Sequence, residues 1–135
     1  MIAIDTNILV RYLTQDDLRQ AQAVNNLLKK YFGKPQSIFI NNIVLCELIW
    51  VLESGYKYEK NQIVSAMRSI LSTKEFAFEH QNILWFALEE YESRKLDFAD
   101  SLIAQLNKYY GYNTTFTFDE KAIGNNLFVL CEEDI

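Results

Sequence analysis

The sequence is poor in several residue types whose scarcity limits the possible chemistry. Its 135 residues include two cysteines, one proline, four glycines and a single histidine. One histidine excludes a histidine-rich zinc site. Cys46 and Cys131 lack the spacing of metal ligands and are expected to be buried thiols in a reducing compartment. Each glycine follows a helical pattern and is expected to close it in the left-handed conformation; none opens a Walker or dinucleotide-binding loop.

Long apolar runs and excess basic charge are also missing. No stretch approaches the roughly 20 apolar residues that cross a bilayer, and Asp5 interrupts the first apolar run too early for a signal peptide. We therefore expect a cytoplasmic protein without a membrane partner. With 13 Lys and Arg against 18 Asp and Glu, the net charge is −5. Taken alone, this balance argues against non-specific binding of nucleic acid.

The residues that are present predict one folded domain over residues 1–135, since half are hydrophobic and 14% aromatic. Helical and strand periods alternate along the chain. Helices are predicted over residues 18–32, 42–54, 60–72, 82–94 and 97–110. Strands are predicted over residues 2–5, 37–41, 76–79, 114–118 and 128–130. Strands separated by helices indicate the α/β class, with a parallel sheet covered on both faces.

Two aspartates follow predicted strands. Asp5 ends the first strand, and Asp119 follows the alternating strand pattern before a short helix. In parallel sheets, ligands bind beyond the carboxyl ends of the strands, so both side chains are candidate ligands. Both residues also suit a helix N-cap or a turn, and the residues alone leave these interpretations open.

Glu47 is the one charged residue within the apolar run 43–52. On such a helix we expect its carboxylate to be difficult to place in water. An unpaired buried carboxylate costs several kcal/mol or becomes protonated, and a metal ion or a cationic partner would remove that cost. A narrow exposed stripe or an arginine partner is the alternative.

Asp97 and Asp100 are three residues apart and therefore share one helix face. Their spacing resembles a capping arrangement, so we expect Asp97 to cap the helix and Asp100 to project into a crevice. Together, the acids at strand ends and in helices predict a site for a hard cation, Mg²⁺ or Mn²⁺. Such an ion activates water for in-line phosphoryl displacement, with two ions about 4 Å apart in some sites.

Four blocks of the sequence, in this order, resemble a known family. They are residues 4–9 (IDTNIL), Glu47 in its apolar helix, residues 97–104 (DFADSLIA) and residues 117–119 (TFD). Their residue types and spacing resemble those of a PIN-domain ribonuclease, and the short chain resembles the VapC-type toxin of bacterial toxin–antitoxin pairs.

The resemblance implies a three-layer α/β/α sandwich, related to the Rossmann fold, with a parallel sheet of about five short strands. It also implies endonucleolytic cleavage of RNA with one or two Mg²⁺ or Mn²⁺ ions, a homodimer, and a small antitoxin partner. The compositional argument against nucleic acid is then replaced, because part of the acidity would belong to a cation site.

Carried over by position, the resemblance implies a set of four metal-binding and catalytic carboxylates: Asp5, Glu47, Asp100 and Asp119. Neighbouring groups that would orient them are Thr6, Asn7, Asp97 and Thr117. Arg11 and Lys121 lie close in sequence to two of the acids and are candidate phosphate contacts, or ordinary solvated charges.

Three other functions remain open. A PIN nuclease in RNA processing would have no antitoxin. A phosphatase with an aspartyl nucleophile usually needs a second aspartate where this chain has Asn7. A non-catalytic binding module would use its acids as helix caps and its aromatic residues as a partner groove, although most such residues are ordinarily core. The aromatic residues considered for that groove are Tyr12, Trp50, Tyr56, Tyr58 and Trp85.

Overall fold

A computed structural model of the chain describes residues 1–94 and 96–133. The predicted domain over residues 1–135 therefore includes three positions outside this description. Contacts divide the chain into two compact units, one spanning Met1–Glu79 and the other beginning at His80. Each unit combines helices with short parallel strands.

The first unit contains three strands and four helices. In chain order they are β1 (Ile2–Ala3), α1 (Thr6–Thr14), α2 (Leu18–Lys29), β2 (Ile38–Phe39), α3 (Asn42–Ser54), α4 (Lys60–Leu71) and β3 (Phe76–Ala77). The strands pair in parallel in the order β1-β2-β3. Ile38 on the central strand stands opposite Ile2 on one side and Phe76 on the other. Helices therefore follow the carboxyl ends of β1 and β2 directly.

Polar side chains at these strand ends start the helices. The Asn41 side chain accepts a hydrogen bond of 3.0 Å from the Val44 amide and so caps α3. Glu79, which follows β3, accepts a bond of 2.7 Å from the Asn42 amide at the same helix end. These bonds satisfy donors that a helix N-terminus leaves free. Behind them, α3 buries an apolar face that includes Leu45, Leu48 and Leu52.

The second unit contains two long helices and a two-stranded sheet. Its elements are α5 (Gln81–Ser93), α6 (Phe98–Tyr109), β4 (Thr115–Thr117), a 3-10 helix (Glu120–Gly124) and β5 (Phe128–Leu130). The two strands pair in parallel, with Thr115 opposite Phe128, and α5 packs against α6. A buried apolar cluster supports the strands and the 3-10 helix: Leu96, Ala104, Ala122, Leu127 and Phe128. The sheet thus holds the segment that follows β4 in a defined place.

The predicted α/β class and its parallel strands are confirmed. The described residues contain five short strands, three in one sheet and two in the other. Most helix boundaries lie within one residue of the prediction, whereas α2 ends three residues early, at Lys29, and the first four strands are shorter than predicted. The longest helices have 13 residues, and across the described ranges none is both long and apolar enough to span a bilayer.

The prediction that every glycine closes a helix in the left-handed conformation is half right. Gly33 and Gly111 have φ values of 79° and 97°. Gly55 ends α3 at φ −87°, and Gly124 lies within the 3-10 helix. A Cβ at Gly55 would lie 2.9 Å from the Val51 carbonyl oxygen, so this glycine is needed for a close approach rather than for a positive φ.

Candidate active site

Asp5 is an exposed N-cap. It follows β1 in extended conformation, and its Oδ1 accepts a long hydrogen bond of 3.4 Å from the Ile8 amide at the start of α1. The capping interpretation from sequence is therefore realised. The cap uses one carboxylate oxygen, so it is compatible with a ligand role for the other.

Glu47 is exposed, contrary to the expectation that it would be difficult to place in water. It lies on one stripe of α3 with Ile43 and Trp50, which are 69% and 68% exposed. The expectation was wrong because it assigned all the apolar residues of this helix to the core. Two large apolar side chains instead share the solvent-facing stripe with Glu47.

Thr6 connects the start of α1 to Glu47. Its Oγ1 donates a hydrogen bond of 3.2 Å to Glu47 Oε1. Thr6 also directly follows the Asp5 cap, so the start of α1 lies beside both carboxylates that are predicted ligands in the first unit. Thr6 was predicted to orient Asp5 or a metal-bound water; its observed partner is Glu47, and the orienting role stays a prediction. Asn7 is exposed in the first turn of α1.

In the second unit, Asp97 and Asp100 lie at the start of α6. Asp97 occupies the N-cap position, yet among the described residues its side chain makes no capping hydrogen bond. The expectation that Asp97 serves as a side-chain cap is therefore wrong, and its carboxylate remains available for another role. Asp100 is half-buried in the first turn.

Asp100 lies in an environment that disfavours its charge. Burial raises the pKa of the Asp100 carboxyl, and the negative charges of Asp97 and Asp119 raise it further. Burial and like charges both favour the protonated form of a carboxyl group. The three acids are thus close enough to interact electrostatically.

Asp119 is fixed by its neighbours on both sides. Its backbone amide donates to Thr117 Oγ1 at 3.0 Å, and its Oδ1 accepts from the Lys121 amide at 3.0 Å, capping the 3-10 helix. Thr117 therefore contacts the backbone of Asp119, and its predicted role in orienting the site stays a prediction. The Lys121 side chain is exposed.

Arg11 is engaged in a polar network of the first unit. Its Nη1 contacts Asp16 Oδ1 at 3.3 Å and Tyr56 Oη at 3.1 Å, and its Nε donates to Gln20 at 2.5 Å. Tyr56 in turn donates to Asp16 at 2.8 Å. Most of the guanidinium group is therefore occupied, so a phosphate contact by Arg11 stays a prediction.

The donor chemistry of these residues fits a hard divalent cation. Carboxylate oxygens are the ligands that Mg²⁺ and Mn²⁺ prefer, and a cation would offset the repulsion around Asp100. No group of three or more acidic, histidine or cysteine side chains in residues 1–94 and 96–133 forms a preassembled metal site. The metal site therefore stays a prediction that rests on chemistry and position.

The two cysteines and the single histidine of the chain provide no evident nucleophile or base within the described residues. Cys46 and Cys131 are half-buried free thiols, and burial raises the pKa of the Cys46 thiol, which disfavours the reactive thiolate. His80 stacks on Tyr109 with ring centroids 4.7 Å apart, and its Nε2 lies 3.2 Å from Tyr110 Oη. These contacts describe a histidine in an aromatic cluster.

The aromatic residues considered for a partner groove have different environments. Tyr12 lines a cavity of about 320 Å³ with Leu28, Phe32 and Phe76 in the first unit. Trp50 is exposed on α3, as described above. The remaining three, Tyr56, Tyr58 and Trp85, are half-buried. Tyr56 and Tyr58 pack edge to face with ring centroids 6.1 Å apart, and the partner groove stays a prediction.

Sequence reasoning missed the buried carboxylate of Glu90, which is 8% exposed on α5. Ser101, Gln105 and Asn125 donate hydrogen bonds to it. A helical signal was present, because Ala87 lies three residues before Glu90 and is buried on the same face. The neighbouring acids at positions 89 and 92 masked that signal by making the segment resemble a solvated face.

A family comparison decides what kind of protein carries these carboxylates. The model of the PIN domain matches residues 2–124, a range that includes all four predicted ligands. The chain belongs to the PIN-domain family. A VapC ribonuclease from Aquifex aeolicus (strain VF5) is 25% identical to it over 121 residues, covering 90% of this chain and 89% of the relative. No solved structure gives a significant match. The chain is thus similar to a VapC ribonuclease along nearly the whole length of both proteins.

Proposed function

We propose that this PIN-domain protein is a Mg²⁺- or Mn²⁺-dependent endoribonuclease, and the toxin of a toxin–antitoxin pair. The observation that carries the proposal is the environment of Asp100, a half-buried carboxyl next to two other acids. Carboxyl groups whose pKa values are perturbed by burial and like charges mark candidate functional sites, and cation binding would relieve the repulsion. The similarity to a VapC ribonuclease supports RNA as the substrate.

The residues have distinct roles in this proposal. Asp5, Glu47, Asp100 and Asp119 supply the carboxylates on which cation binding and cleavage depend. A bound divalent cation supplies a Lewis acid that activates water and stabilises charge on the phosphate. Thr6 holds Glu47, and Thr117 holds the backbone of Asp119. Exposed Lys121 is the available phosphate contact beside Asp119.

The antitoxin part of the proposal is supported by the exposed stripe on α3. Ile43 and Trp50, both about two-thirds exposed, flank Glu47 there, and exposed apolar side chains beside a proposed ligand offer contacts to a partner. A partner that places apolar side chains on this stripe and a basic group on Glu47 would block the carboxylate. The homodimer and the cytoplasmic location stay predictions.

Cleavage of a panel of cellular RNAs, with Mn²⁺ and with EDTA, tests the activity. We expect internal cuts that require the metal, and their loss in Glu47→Gln and Asp5→Asn. The second variant separates two roles, because asparagine is also a good N-cap but is a weaker cation ligand than a carboxylate. Glu89→Gln, at an exposed position of α5, is the matched control and should cleave normally.

Three outcomes would contradict the proposal. Full cleavage in EDTA would remove the metal requirement, and full activity of purified Asp5→Asn would remove that ligand. A phosphorylated Asp5 trapped with a phosphate ester would indicate phosphatase chemistry instead. If cleavage is metal-dependent but no short protein encoded immediately upstream inhibits it, the RNA-processing interpretation replaces the toxin.

A further inference from the structure

Glu90 carries a buried carboxylate that the proposed reaction does not use. Its Oε1 accepts hydrogen bonds from Ser101 Oγ at 2.5 Å and Gln105 Nε2 at 3.2 Å, and its Oε2 accepts from Asn125 Nδ2 at 3.0 Å. Glu90, Ser101 and Asn125 are 8%, 0% and 1% exposed. Because a buried carboxylate is costly unless its oxygens are hydrogen-bonded, the donors are held in fixed positions around it.

Two of these donors belong to the segments that carry the predicted ligands of the second unit, Asp100 and Asp119. Ser101 directly follows Asp100 on α6. Asn125 follows the 3-10 helix that Asp119 caps. One buried side chain therefore holds both segments, by a bond from α6 and a bond from the end of the 3-10 helix.

The orientation of the Asn125 side chain is determined by its partners. Its Oδ1 accepts from the Leu127 amide at 2.8 Å, which leaves the NH₂ group to donate to Glu90. Its backbone amide donates to the Ala122 carbonyl at 3.1 Å. Asn125 is thus fixed to the turn after the 3-10 helix, and movement of that turn relative to α5, which carries Glu90, would break its bond to Glu90.

We propose that Glu90 is a positioning residue, which holds the start of α6 and the 3-10 helix together so that Asp100 and Asp119 present their carboxylates to one cation. This inference rests on the proposed metal-dependent function. In many proteins, buried charged groups can be replaced by apolar side chains of similar volume without lowering the free energy of unfolding. A hydrogen-bonded carboxylate adds direction, because each bond fixes an angle as well as a distance.

The Glu90→Gln variant tests the proposal with minimal change in shape. Its amide cannot accept on both sides, so its NH₂ group would face the NH₂ group of Asn125 or the hydroxyl of Ser101. We expect the dissociation constant for Mn²⁺ to rise about tenfold, as for other residues that orient metal ligands. The measurement is electron paramagnetic resonance of free Mn²⁺ titrated with the full-length protein, without RNA. Cleavage at subsaturating Mn²⁺ should fall in parallel.

A compensating change makes the test specific. In the double variant Glu90→Gln/Asn125→Asp, the introduced amide donates to the introduced carboxylate, which still accepts from the Leu127 amide. The glutamine oxygen still accepts from Ser101 and Gln105, and the net charge equals that of the wild type. We expect Mn²⁺ affinity to return to within about threefold of the wild-type value, because most of the hydrogen bonds that orient the metal ligands are restored. Glu89→Gln is the exposed neighbouring control.

The outcomes distinguish this inference from the proposed function. If Glu90→Gln unfolds at a lower temperature but binds Mn²⁺ as the wild type does, Glu90 is structural only and the inference is wrong. If Glu90→Gln does not fold, the double variant decides: normal Mn²⁺ affinity supports positioning, and a tenfold loss overturns it. If the wild type binds Mn²⁺ and Glu90→Gln weakens binding, but no RNA is cut, positioning stands and the ribonuclease proposal fails. A wild type that binds no Mn²⁺ overturns both.

Discussion

Two aspartates, Asp16 in the first unit and Asp100 in the second, have opposite environments. Asp16 accepts hydrogen bonds from Thr14 and Tyr56, and these bonds, with Arg11 nearby, lower the pKa of its carboxyl. Burial and the charges of two other acids raise the pKa of Asp100. Hydrogen bonds and Arg11 satisfy the charge of Asp16, whereas no side chain in residues 1–94 and 96–133 is seen to do so for Asp100.

In the proposed function, this difference separates a structural carboxylate from a metal-binding one. A carboxylate surrounded by donors gains little from a cation, since its oxygens are already bonded. A carboxylate that faces like charges gains a great deal from one. Asp16 is exposed and Asp100 is half-buried, and the partners of each carboxylate indicate the role that we propose for it.

The largest expected effect comes from removing the unsatisfied charge. Asp100→Asn should reduce metal-dependent RNA cleavage by at least about 100-fold, since losing a ligand exceeds the 10- to 100-fold effects of residues that merely orient ligands. Asp16→Asn should retain near wild-type cleavage. Initial rates on one cleaved RNA at saturating Mn²⁺ provide the measurement. Equal losses in the two variants would break the comparison.

Metal binding at Asp100 should stabilise the folded protein. With Mn²⁺ at 100 times its dissociation constant, the free energy of unfolding should rise by about 2.7 kcal/mol, because the ion binds the native state. Chemical denaturation with and without Mn²⁺ measures this gain. Asp16→Asn should retain it and Asp100→Asn should lose most of it. A metal effect that survives Asp100→Asn would place the cation elsewhere.

Glu47 sharpens the comparison, because it accepts a hydrogen bond from Thr6 and is nevertheless a proposed ligand. Thr6→Val removes the hydroxyl and leaves the shape unchanged. We expect cleavage to fall about tenfold through misorientation of the carboxylate, and Thr6→Ser to restore it. Steady-state cleavage rates of the wild type, Thr6→Val and Thr6→Ser measure this effect. Unchanged activity in Thr6→Val would make Glu47 independent of its donor.

The smallest effect is on the pH dependence of stability. Because the pKa of Asp100 is raised above the ordinary value of 3.8, the native state holds more protons than the unfolded state between 3.8 and that higher value. Stability from this group is therefore present at low pH and lost as pH rises through the window. Solvent screening keeps the contribution below about 1 kcal/mol.

Urea unfolding between pH 4 and 7, in EDTA, measures this contribution. Wild type should lose stability with rising pH relative to Asp100→Asn. For Asp16 the sign is reversed: its lowered pKa adds stability above the unfolded value, which is lost as pH falls through the native value. Parallel curves for wild type and Asp100→Asn would show that the three acids do not interact in solution.

Helices of this fold were largely predictable, because their apolar period and their ends are local properties. α3 was predicted with its observed bounds, Asn42–Ser54. The strands were predicted less well, since paired segments of two or three residues depend on neighbours distant in the chain. Asp5 and Asp119 could be located for a related reason, as each marks a junction between a strand and a helix.

The two glutamates show where local sequence stops being informative. Glu47 lies among apolar residues and is exposed, whereas Glu90 lies among charged residues and is buried. Burial of a carboxylate requires donors, and those for Glu90 come from Ser101, Gln105 and Asn125. Asn125 is 35 positions away, so no pattern within one helix reveals the contact. Metal dependence likewise rests on chemistry rather than on a spacing.

The exposed indole of Trp50 has a practical consequence. It lies three residues, nearly one helical turn, from Glu47, while Trp85, the other tryptophan of the chain, is half-buried. Indole emission moves to shorter wavelength when water is displaced from the ring. Binding of a protein over this part of α3 should therefore shift the emission of Trp50 to shorter wavelength, so no added label is needed. Trp85→Phe would leave Trp50 as the sole fluorophore, so that occupancy beside Glu47 can be followed optically in real time.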